Sequence, residues 1–348
     1  MQISQDIKMS KDSQVKENSP IDAVVTWVDG DDPRHKEKMI SYFNETDRKK
    51  IPGAHPTRFA SINEIKYCVL SILTFAPFIR NIYIITDDQD PNIFEDIKAH
   101  FPERLDSVKI VDHKEIFRGY EEYLPTFSCR SIESMMWRIK GLSNNFVYFN
   151  DDLFLIRKVR PGDWFINDRP VLRGKWQPFP FPRIIWYNFN RFVRKHILRD
   201  HDYQPKPSFH MGQWNSASML GFKFRYFVFQ HTPHPISRKT AEEFFNKNKE
   251  LFKKTLVNRF KEYDQFNFSS LIAHLELIDG NRYIKSTDLA YLQPHKKSND
   301  YIDKKIDLCK KNPNIKFLCV QSLDRCTKEN QDKVFSWLKE ILNLPEDA

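Results

Sequence analysis

The chain has 348 residues, 40% of them hydrophobic, with 55 Lys and Arg against 46 Asp and Glu. This length allows one large domain or two small ones with a sizeable core. The sequence has no apolar run long enough to span a bilayer and no start typical of a cleaved signal, so it predicts neither a membrane span nor secretion. Five scattered cysteines without a Cys-x-x-Cys pair argue against a zinc ribbon or a disulfide framework and favour the cytoplasm.

The positive charge is concentrated between Arg157 and Lys206. This stretch contains twelve Lys and Arg, four Asp and Glu, and ten aromatic residues, which gives it a net charge of +8. A basic, aromatic segment in an otherwise balanced chain indicates an anionic partner, such as nucleic acid, an acidic lipid surface or an acidic polymer. The alternative is a solvated loop in which Lys and Arg stems lie over aromatic rings.

The first half of the chain alternates predicted strands and helices. Residues 1–20 are polar without apolar periodicity, and we expect them to form a disordered arm. Strands are predicted at residues 21–27, 81–86, 108–111 and 146–149, and helices at 61–75, just after Asp90, and at 128–140. This order is typical of an α/β fold with a mostly parallel sheet and crossover helices.

The second half gives weaker signals. Residues 166–215 are rich in Pro, Trp and Phe, and we expect an irregular basic excursion from the sheet. Order is predicted to return at 219–230, followed by a helix at 239–260, a strand at 316–320 and a final amphipathic helix. Together these elements predict a single domain over residues 21–348.

The sharpest chemical feature is the sequence Asn150, Asp151, Asp152 at the end of a buried apolar strand. Two adjacent carboxylates in such a position are costly to keep charged unless a cation or hydrogen-bond donors compensate them. A hard divalent cation that bridges to a diphosphate would do so. The alternative is an Asx turn with solvated acids. Asp29, Asp31 and Asp32 follow the first strand and are expected at the same edge of the sheet.

Two histidines and one glutamate are further candidates. His231 and His234 flank a proline in an extended loop, where a histidine can act as a general base or contact phosphate, although a surface turn without function is the alternative. Glu64 follows Ser61 by three residues, so the sequence alone favours a capping box over a catalytic role for it. No glycine-rich phosphate loop is present, so any diphosphate must be bound by metal and cationic side chains.

Four segments resemble the conserved blocks of the Stealth family of sugar-phosphate transferases. They are residues 21–33, residues 63–86, residues 124–152 and residues 231–259. The resemblance implies a GT-A-like nucleotide-sugar-binding core with a divalent metal, Mg²⁺ or Mn²⁺. It also implies transfer of a sugar 1-phosphate from a UDP-N-acetylhexosamine donor to an acceptor hydroxyl, with release of UMP.

Roles for individual residues follow from this resemblance. It implies Asp151 and Asp152 as metal ligands, catalytic roles for Asp152, His234, His231, Asp32 and Glu64, and substrate binding by Trp27, Asp29, Asn63, Arg138, Asn150 and Arg259. Residues 21–165 would form the nucleotide-sugar and metal half, and residues 216–348 would complete it with the histidine loop and the C-terminal helix.

Partners and competing functions also follow. The expected acceptor is a growing capsular polysaccharide or a lipid-linked acceptor, and the basic segment is expected to form its groove. The enzyme is expected in the cytoplasm or peripherally at the inner membrane with the capsule machinery. A metal-dependent GT-A glycosyltransferase that releases UDP is the alternative enzyme. A nucleic-acid-binding module would leave the Asp151–Asp152 pair and the histidines unused, so nucleic acid is not expected as a partner.

Overall fold

A five-stranded sheet forms the centre of the protein. The structure is a computed structural model, and it describes residues 19–42, 51–54, 59–200, 203, 205–286, 288–295, 297–298 and 300–344. The strands are β1 Ile21–Thr26, β2 Ile79–Thr86, β3 Val108–Asp112, β4 Asn145–Asn150, β5 Leu153–Leu155, β6 Phe165–Ile166, β7 Arg169–Pro170, β8 Leu172–Pro178, β9 Arg225–Phe229, β10 His234–Ser237, β11 Ile284–Lys285, β12 Leu289–Leu292 and β13 Phe317–Val320. The expected disordered arm at residues 1–20 lies almost wholly outside the described residues.

Helices connect and cover these strands. They are α1 Pro33–Ile40, α2 Glu64–Phe75, α3 Phe94–His100, α4 His113–Ile116, α5 Cys129–Glu133, α6 Pro161–Trp164, α7 Phe181–Phe192, α8 Phe209–Met219, α9 Arg238–Lys247, α10 Lys249–Leu256, α11 Phe268–Ile278, α12 Tyr301–Lys311 and α13 Lys328–Leu342. Among the described helices, none is long and apolar enough to cross a membrane.

The central sheet is parallel except for β10, as the sequence predicts for an α/β fold. β1 pairs in parallel with β2 and β4, and β2 pairs in parallel with β3. Alternate residues of β1 enter two different cores, because Ala23 and Val25 face the layer that contains α2, whereas Val24 faces the layer that contains α9 and α11. Burial on both faces explains why the central strands are nearly continuous apolar runs.

A second sheet joins the chain's C-terminal part to the end of β4. Its order is β12-β13-β5, and β5 begins directly after Asp152. β13 runs parallel to β12 and antiparallel to β5. The strand predicted at 316–320 is therefore confirmed. Its pairing places the ends of β12 and β13 beside the two aspartates that precede β5.

Residues 166–215 are more regular than the sequence suggested. The expectation of an irregular excursion is wrong, because β8 pairs with both β11 and β9 in a third sheet, and helices α7 and α8 follow. The sequence signal was weak because prolines at 178, 180 and 182 interrupt the apolar periodicity between strand and helix. The proposed division at residues 165 and 216 stays a prediction.

Several helix boundaries differ from those predicted. The helix expected at 128–140 is a short α5 followed by a 3₁₀ turn at Met136–Arg138, and the helix expected at 239–260 breaks at Asn248 into α9 and α10. The helix expected after Asp90 begins only at Phe94, because the Asp90 side chain accepts a hydrogen bond from the backbone of Asn92 in a preceding turn.

Candidate active site

The carboxyl ends of the central strands lie side by side. Thr26 at the end of β1 pairs with Asn150 of β4 and with Ile85 of β2. His234 begins β10 opposite Tyr148 of β4, because β10 runs antiparallel to the other strands. The turn after β1, the aspartates after β4 and the histidine loop before β10 therefore meet at one edge of the sheet. This is the edge at which α/β proteins bind their ligands.

Three carboxylates converge at this edge. Burial, followed by the charges of Glu64 and Asp152, raises the pKa of Asp151 well above its usual range. Burial and the Glu64 charge raise the pKa of Asp152 to about 7. Burial also raises the pKa of Glu64, although its carboxylate accepts a hydrogen bond from the backbone N–H of Ile62 at 2.7 Å. Buried carboxylates whose charges act on one another favour protonation or the binding of a cation.

Asp152 has one satisfied oxygen and one unsatisfied oxygen. The Cys319 thiol donates a hydrogen bond to Oδ2, with Sγ 3.8 Å from that oxygen. Burial and the nearby Asp152 charge raise the pKa of the Cys319 thiol, so it stays protonated and remains a donor. Oδ1 is buried without a hydrogen-bond partner in the described part of the chain. A buried carboxylate oxygen in this state is costly, and a bound cation would compensate it.

Asn150 is held by a buried polar network. The Tyr148 hydroxyl lies 2.5 Å from Asn150 Oδ1, 3.0 Å from Thr26 Oγ1 and 3.4 Å from Glu133 Oε1. Burial raises the pKa of Glu133, and the charge of Lys261 acts in the opposite direction. The second Glu133 oxygen has no partner among the described residues. The sequence reasoning did not assign a role to Glu133, although it lies in one of the segments that resemble the Stealth family.

His231 is clamped between aromatic rings. Its ring stacks on Phe209 at a centroid distance of 4.1 Å and on Tyr291 at 5.7 Å. Its Nε2 lies 3.4 Å from Nε2 of Gln321, so one tautomer accepts a hydrogen bond from that amide. Burial first, and then the charge of Lys261, lowers the pKa of His231 to about 4. The ring is therefore neutral at neutral pH.

His234 is also neutral. Burial, followed by the neighbouring His231 and Arg173, lowers its pKa to about 3. Its ring lies 4.4 Å from that of Phe229 and 6.5 Å from that of Tyr148. In this state either histidine can accept a proton, whereas neither supplies positive charge to a phosphate.

Tyr291 links the histidine loop to the acidic cluster. Its hydroxyl donates to Oε1 of Gln321, the same side chain that meets His231. Burial first, and then the neighbouring Cys319 and Asp152, raises its pKa to about 12. Tyr291, Cys319 and Gln321 come from the ends of β12 and β13, and sequence reasoning missed them. Their only signal was the apolar run of β13, which did not reveal its partner strands.

The turn after β1 contains two of the predicted site aspartates, Asp29 within the turn and Asp32 at the N-terminal cap of helix α1. The side chain of Gln89 bonds both the backbone N–H and the backbone carbonyl of Asp29, and it donates to Asp32 at 3.2 Å. Asp32 caps helix α1 by accepting from the backbone N–H of Arg34 at 2.8 Å. Burial alone would raise the pKa of Asp32, but the hydrogen bonds from Gln89 and Arg34 lower it. Both aspartates are thus fixed beside the carboxyl ends of β1 and β2.

The capping box expected at Ser61 and Glu64 is wrong. Helix α2 begins at Glu64 after Asn63, whose φ of 75° is left-handed and whose side chain makes no capping bond. Ser61 instead accepts a hydrogen bond from the indole N–H of Trp27 at 3.1 Å. Trp27 is buried in the core, and the carboxylate of Glu64 is left to face the two aspartates.

The two predicted arginines contact backbone carbonyls. Arg138 donates to the carbonyl oxygens of Ile116 and Arg118, and Arg259 donates to that of Pro125 at 2.6 Å. In the described part of the chain, no hydrogen bond or ion pair joins either guanidinium to the three carboxylates.

A cavity of about 360 Å³ lies beside Arg259. Tyr42, Pro205, Lys261 and Tyr263 are among the residues that line it. Lys261 connects this cavity to the site, because its charge influences the pKa of both Glu133 and His231. Lys261 therefore lies near both the cavity and the buried Glu133 and His231.

Two segments match a known protein family. Residues 19–46 match Stealth protein CR1, conserved region 1, and residues 58–171 match Stealth protein CR2, conserved region 2. The receptor polysaccharide phosphotransferase WefC of Streptococcus oralis is 31% identical over 262 residues, which cover 71% of this chain and 75% of WefC. The chain belongs to the Stealth family. Region 2 includes both residues 63–86 and residues 124–152, which the sequence pattern assigned to two separate blocks.

Other relatives of this Stealth chain carry related names. Capsular polysaccharide phosphotransferase LcbA of Aeromonas hydrophila is 29% identical over 291 residues, covering 81% of this chain and 72% of LcbA. Exopolysaccharide phosphotransferase SCO6021 of Streptomyces coelicolor is 44% identical over 146 residues, but these are 42% of this chain and 25% of that protein. Conserved region 1 contains the aspartates of the β1 turn, and region 2 contains Glu64, Glu133 and the residues Asn150–Asp152.

Solved glycosyltransferase structures have a distantly similar arrangement. Galactosyltransferase LgtC, in complex with donor and acceptor sugar analogs, covers 94% of this Stealth chain at 8% identity, with a TM-score of 0.41. Mouse xyloside xylosyltransferase 1 covers 87% at 12% identity, with a TM-score of 0.38. Likenesses this distant carry no argument about chemistry.

Proposed function

We propose that this chain is a capsular polysaccharide phosphotransferase that moves N-acetylhexosamine 1-phosphate from a UDP-sugar to an acceptor hydroxyl. The acceptor oxygen forms a bond to the phosphorus next to the sugar, and the bond between that phosphorus and the bridging oxygen breaks. UMP leaves with the electron pair, and the hydroxyl proton passes to a base. The observation that carries this proposal is the convergence of Glu64, Asp151 and Asp152 at the carboxyl edge of a parallel sheet.

The donor set at this edge fits a hard divalent cation, Mg²⁺ or Mn²⁺. Within the described residues, no three His, Cys, Asp or Glu side chains form a ready-made ligand set. Mg²⁺, however, commonly takes one or two carboxylates and completes its shell with water and substrate phosphates. Asp151 and Asp152 would hold it, and the unpaired Asp152 Oδ1 supports this assignment. The cation would offset the negative charge of the diphosphate and of the leaving UMP.

The neutral histidines suit proton transfer better than phosphate binding. His231 or His234 would accept the proton of the attacking hydroxyl, because both are uncharged at neutral pH. The negative charge of a bound diphosphate would raise their low pKa values toward the working pH, as a general base requires. A catalytic role for Glu64 and Asp32 stays part of the proposal. Lys261 would supply positive charge near the site, because its charge acts on the pKa of both Glu133 and His231, whereas no such effect of Arg138 is seen among the residues that the structure describes.

The remaining predicted residues would bind the substrates. The turn that holds Asp29 and Asp32, together with Trp27 and Asn63, would contact the nucleotide or the reacting sugar, as in a GT-A-like nucleotide-sugar site. Asn150 would orient the donor, because its amide is fixed by Tyr148. Arg259 lines the neighbouring cavity, which suits part of the polysaccharide or lipid-linked acceptor. This reaction would occur in the cytoplasm, at the inner membrane surface with the capsule machinery.

The products of the reaction test this proposal. The full chain is incubated with UDP-N-acetylglucosamine or UDP-N-acetylmannosamine, Mg²⁺ and capsular acceptor, and the nucleotide product is separated by chromatography. We expect UMP together with a phosphodiester signal in the ³¹P spectrum. Release of UDP without a phosphodiester would instead identify a glycosyltransferase and refute the proposal.

The variant Asp152→Asn tests the site separately from the fold. It should lower kcat by roughly 10²- to 10³-fold, because it removes charge that acts on the transition state. It should also leave the thermal midpoint unchanged or raise it, because it relieves repulsion among buried carboxylates. Asp307→Asn, at an exposed helical carboxylate, is the matched control and should keep full activity. An active Asp152→Asn enzyme would remove the metal assignment.

A further inference from the structure

Helix α7, Phe181–Phe192, exposes an apolar face to solvent. Its side chains Phe181, Ile185, Trp186, Phe189 and Phe192 are between 50% and 61% exposed. Phe181, Ile185, Phe189 and Phe192 follow one another at spacings of four, four and three residues, so they form one stripe along the helix. Amphipathic helices of globular proteins normally turn such a stripe toward the core. In α7 the apolar stripe faces the solvent instead.

The opposite face of α7 is the one that packs on the protein. Ile184 and Tyr187 are half-buried, and Ile184 packs against the cluster that contains Trp214 and Val228. The guanidinium of Arg191 lies over the ring of Tyr263 at 5.6 Å. The helix is therefore anchored along a mixed polar side, and its aromatic stripe is free for a partner.

The exposed surface continues beyond both ends of the helix. Phe224 is 85% exposed, and its carbonyl accepts a hydrogen bond from Phe179, the residue just before α7, at 2.8 Å. At the other end, Ile197 and Leu198 are 64% and 60% exposed. We call this combined surface, formed by α7, residues 197–198 and Phe224, the α7 patch. Monomeric proteins rarely expose a contiguous apolar patch of this kind without an interaction to make.

The charges around the α7 patch are predominantly positive. The sequence between Asp168 and Asp200 contains no Asp or Glu, and Asp200 itself pairs with Arg194 at 3.9 Å. Five Lys and Arg lie within residues 181–200, namely Arg183, Arg191, Arg194, Lys195 and Arg199, and Lys223 and Arg225 flank Phe224. Aromatic residues combined with Arg and Lys are typical of helices that lie in the interface of an anionic bilayer.

We propose that the α7 patch binds the surface of an anionic phospholipid bilayer, with α7 lying in the plane of the interface. The stripe would enter the boundary between headgroups and acyl chains, and the cations would meet lipid phosphates. A soluble polyanion would use the cations but leave the aromatic stripe in water. A second copy of this chain would bring two basic patches against each other.

The α7 patch lies near the candidate active site, so membrane binding would bring that site close to the lipid surface. Ile184 of α7 packs against the cluster that contains Trp214 of helix α8, and Phe209 at the start of α8 stacks on the ring of His231. The membrane surface would thus lie beside the active-site edge, where a lipid-linked acceptor could reach it. The role of this membrane binding rests on the proposed function, but its test measures vesicle binding without measuring turnover. The membrane proposal and the proposed enzymatic activity can therefore fail independently.

The test is co-sedimentation of the full chain with vesicles of phosphatidylcholine, with and without phosphatidylglycerol. We expect binding to the anionic vesicles to be at least about tenfold tighter, and to weaken at high salt. The double variant Ile185→Ser and Phe189→Ser should weaken binding to anionic vesicles by roughly 100-fold, because it removes two buried apolar side chains. Equal vesicle binding by this variant and the unsubstituted chain would overturn the proposal.

Matched controls separate the α7 patch from general effects. Ile278→Ser with Leu308→Ser removes two apolar side chains that are 58% and 46% exposed elsewhere, and vesicle binding should not change. Circular dichroism establishes that each variant is folded. Tryptophan emission should shift to the blue on anionic vesicles, and Trp186→Phe should abolish that shift. Binding to a soluble polyanion without vesicle binding, or a dimer that only the α7 variant dissociates, would also refute the proposal.

Discussion

Asp22 should be one of the most sensitive positions for stability, because its carboxylate joins the amino ends of three central strands. The side chain is fully buried in β1. Oδ1 accepts from Arg80 Nε at 2.9 Å and from the backbone N–H of Asn81 at 3.1 Å. Oδ2 accepts from Arg80 Nη2 at 2.6 Å and from the backbone N–H of Ser143 at 2.7 Å. Arg80 and Asn81 belong to β2, and Ser143 precedes β4.

The isosteric change Asp22→Asn cannot satisfy these donors in either orientation of the amide. Whichever oxygen becomes NH₂ then faces two N–H groups, one from Arg80 and one from the backbone. An unpaired buried backbone N–H costs about 1–3 kcal/mol. The weakened bonds to Arg80 add about 1 kcal/mol, at the low end of the range because the Arg80 side chain is 43% exposed and can reach water. We therefore expect a loss of about 3 kcal/mol in the free energy of unfolding.

Urea denaturation followed by circular dichroism measures this loss. The control Asp307→Asn removes an exposed carboxylate that is paired with Lys311 at 3.9 Å, and it should change the free energy of unfolding by less than about 0.5 kcal/mol. If Asp22→Asn lowers the free energy of unfolding by less than about 1 kcal/mol, the four hydrogen bonds to the Asp22 carboxylate are not an important source of stability.

Two further predictions concern packing and pH. Gly30→Ala should destabilise the chain by about 1–3 kcal/mol in the same urea assay, because the new Cβ would lie 2.4 Å from the Cβ of Phe59 and 2.5 Å from the Phe59 carbonyl oxygen. Gly162→Ala is the control, because a Cβ there would meet no atom within 4 Å. Equal urea midpoints for the two variants would contradict the prediction. Burial lowers the pKa of His113 to about 4 against an ordinary 6.5, although the Asp87 charge opposes this. The unfolded chain therefore takes up the proton first, and stability conferred by His113 falls as pH decreases from 6.5 toward 4, by about 2 kcal/mol between pH 7 and 5. His113→Gln should lose this pH dependence, and an unchanged slope would contradict the assignment.

Most of the central sheet could be predicted because β1, β2 and β4 are buried on both faces. Each of them forms an apolar run that needs no partner to be recognised, whereas the edge strand β3 was recognised from its β-branched residues. Asp22 breaks the run in β1, and its importance was invisible because Arg80 lies 58 residues away. The break at Asn248 was missed because the apolar periodicity passes through it from α9 into α10. Helix α7 was missed for a related reason, since its apolar residues face water and prolines precede it.

The site could be predicted only in part for the same physical reason. Asp151 and Asp152 stand at the end of an obvious strand, and parallel topology brings the turn after β1 to them. Tyr291, Cys319 and Gln321 depend on β13 pairing with both β12 and β5, which is long-range information. Periodicity detects a strand but does not choose its neighbour.

Buried carboxylates at the two ends of the central strands differ in how fully they are hydrogen-bonded. At the amino ends, the buried Asp22 carboxylate receives four donors and has no unsatisfied oxygen. At the carboxyl ends, Asp152 keeps a buried oxygen without a partner in the described residues, and Glu64 adds a like charge beside it. A fold that satisfies one carboxylate this fully could supply donors to another. The unsatisfied end therefore supports the proposal that a positively charged ligand binds here, at some cost in stability to the unliganded chain.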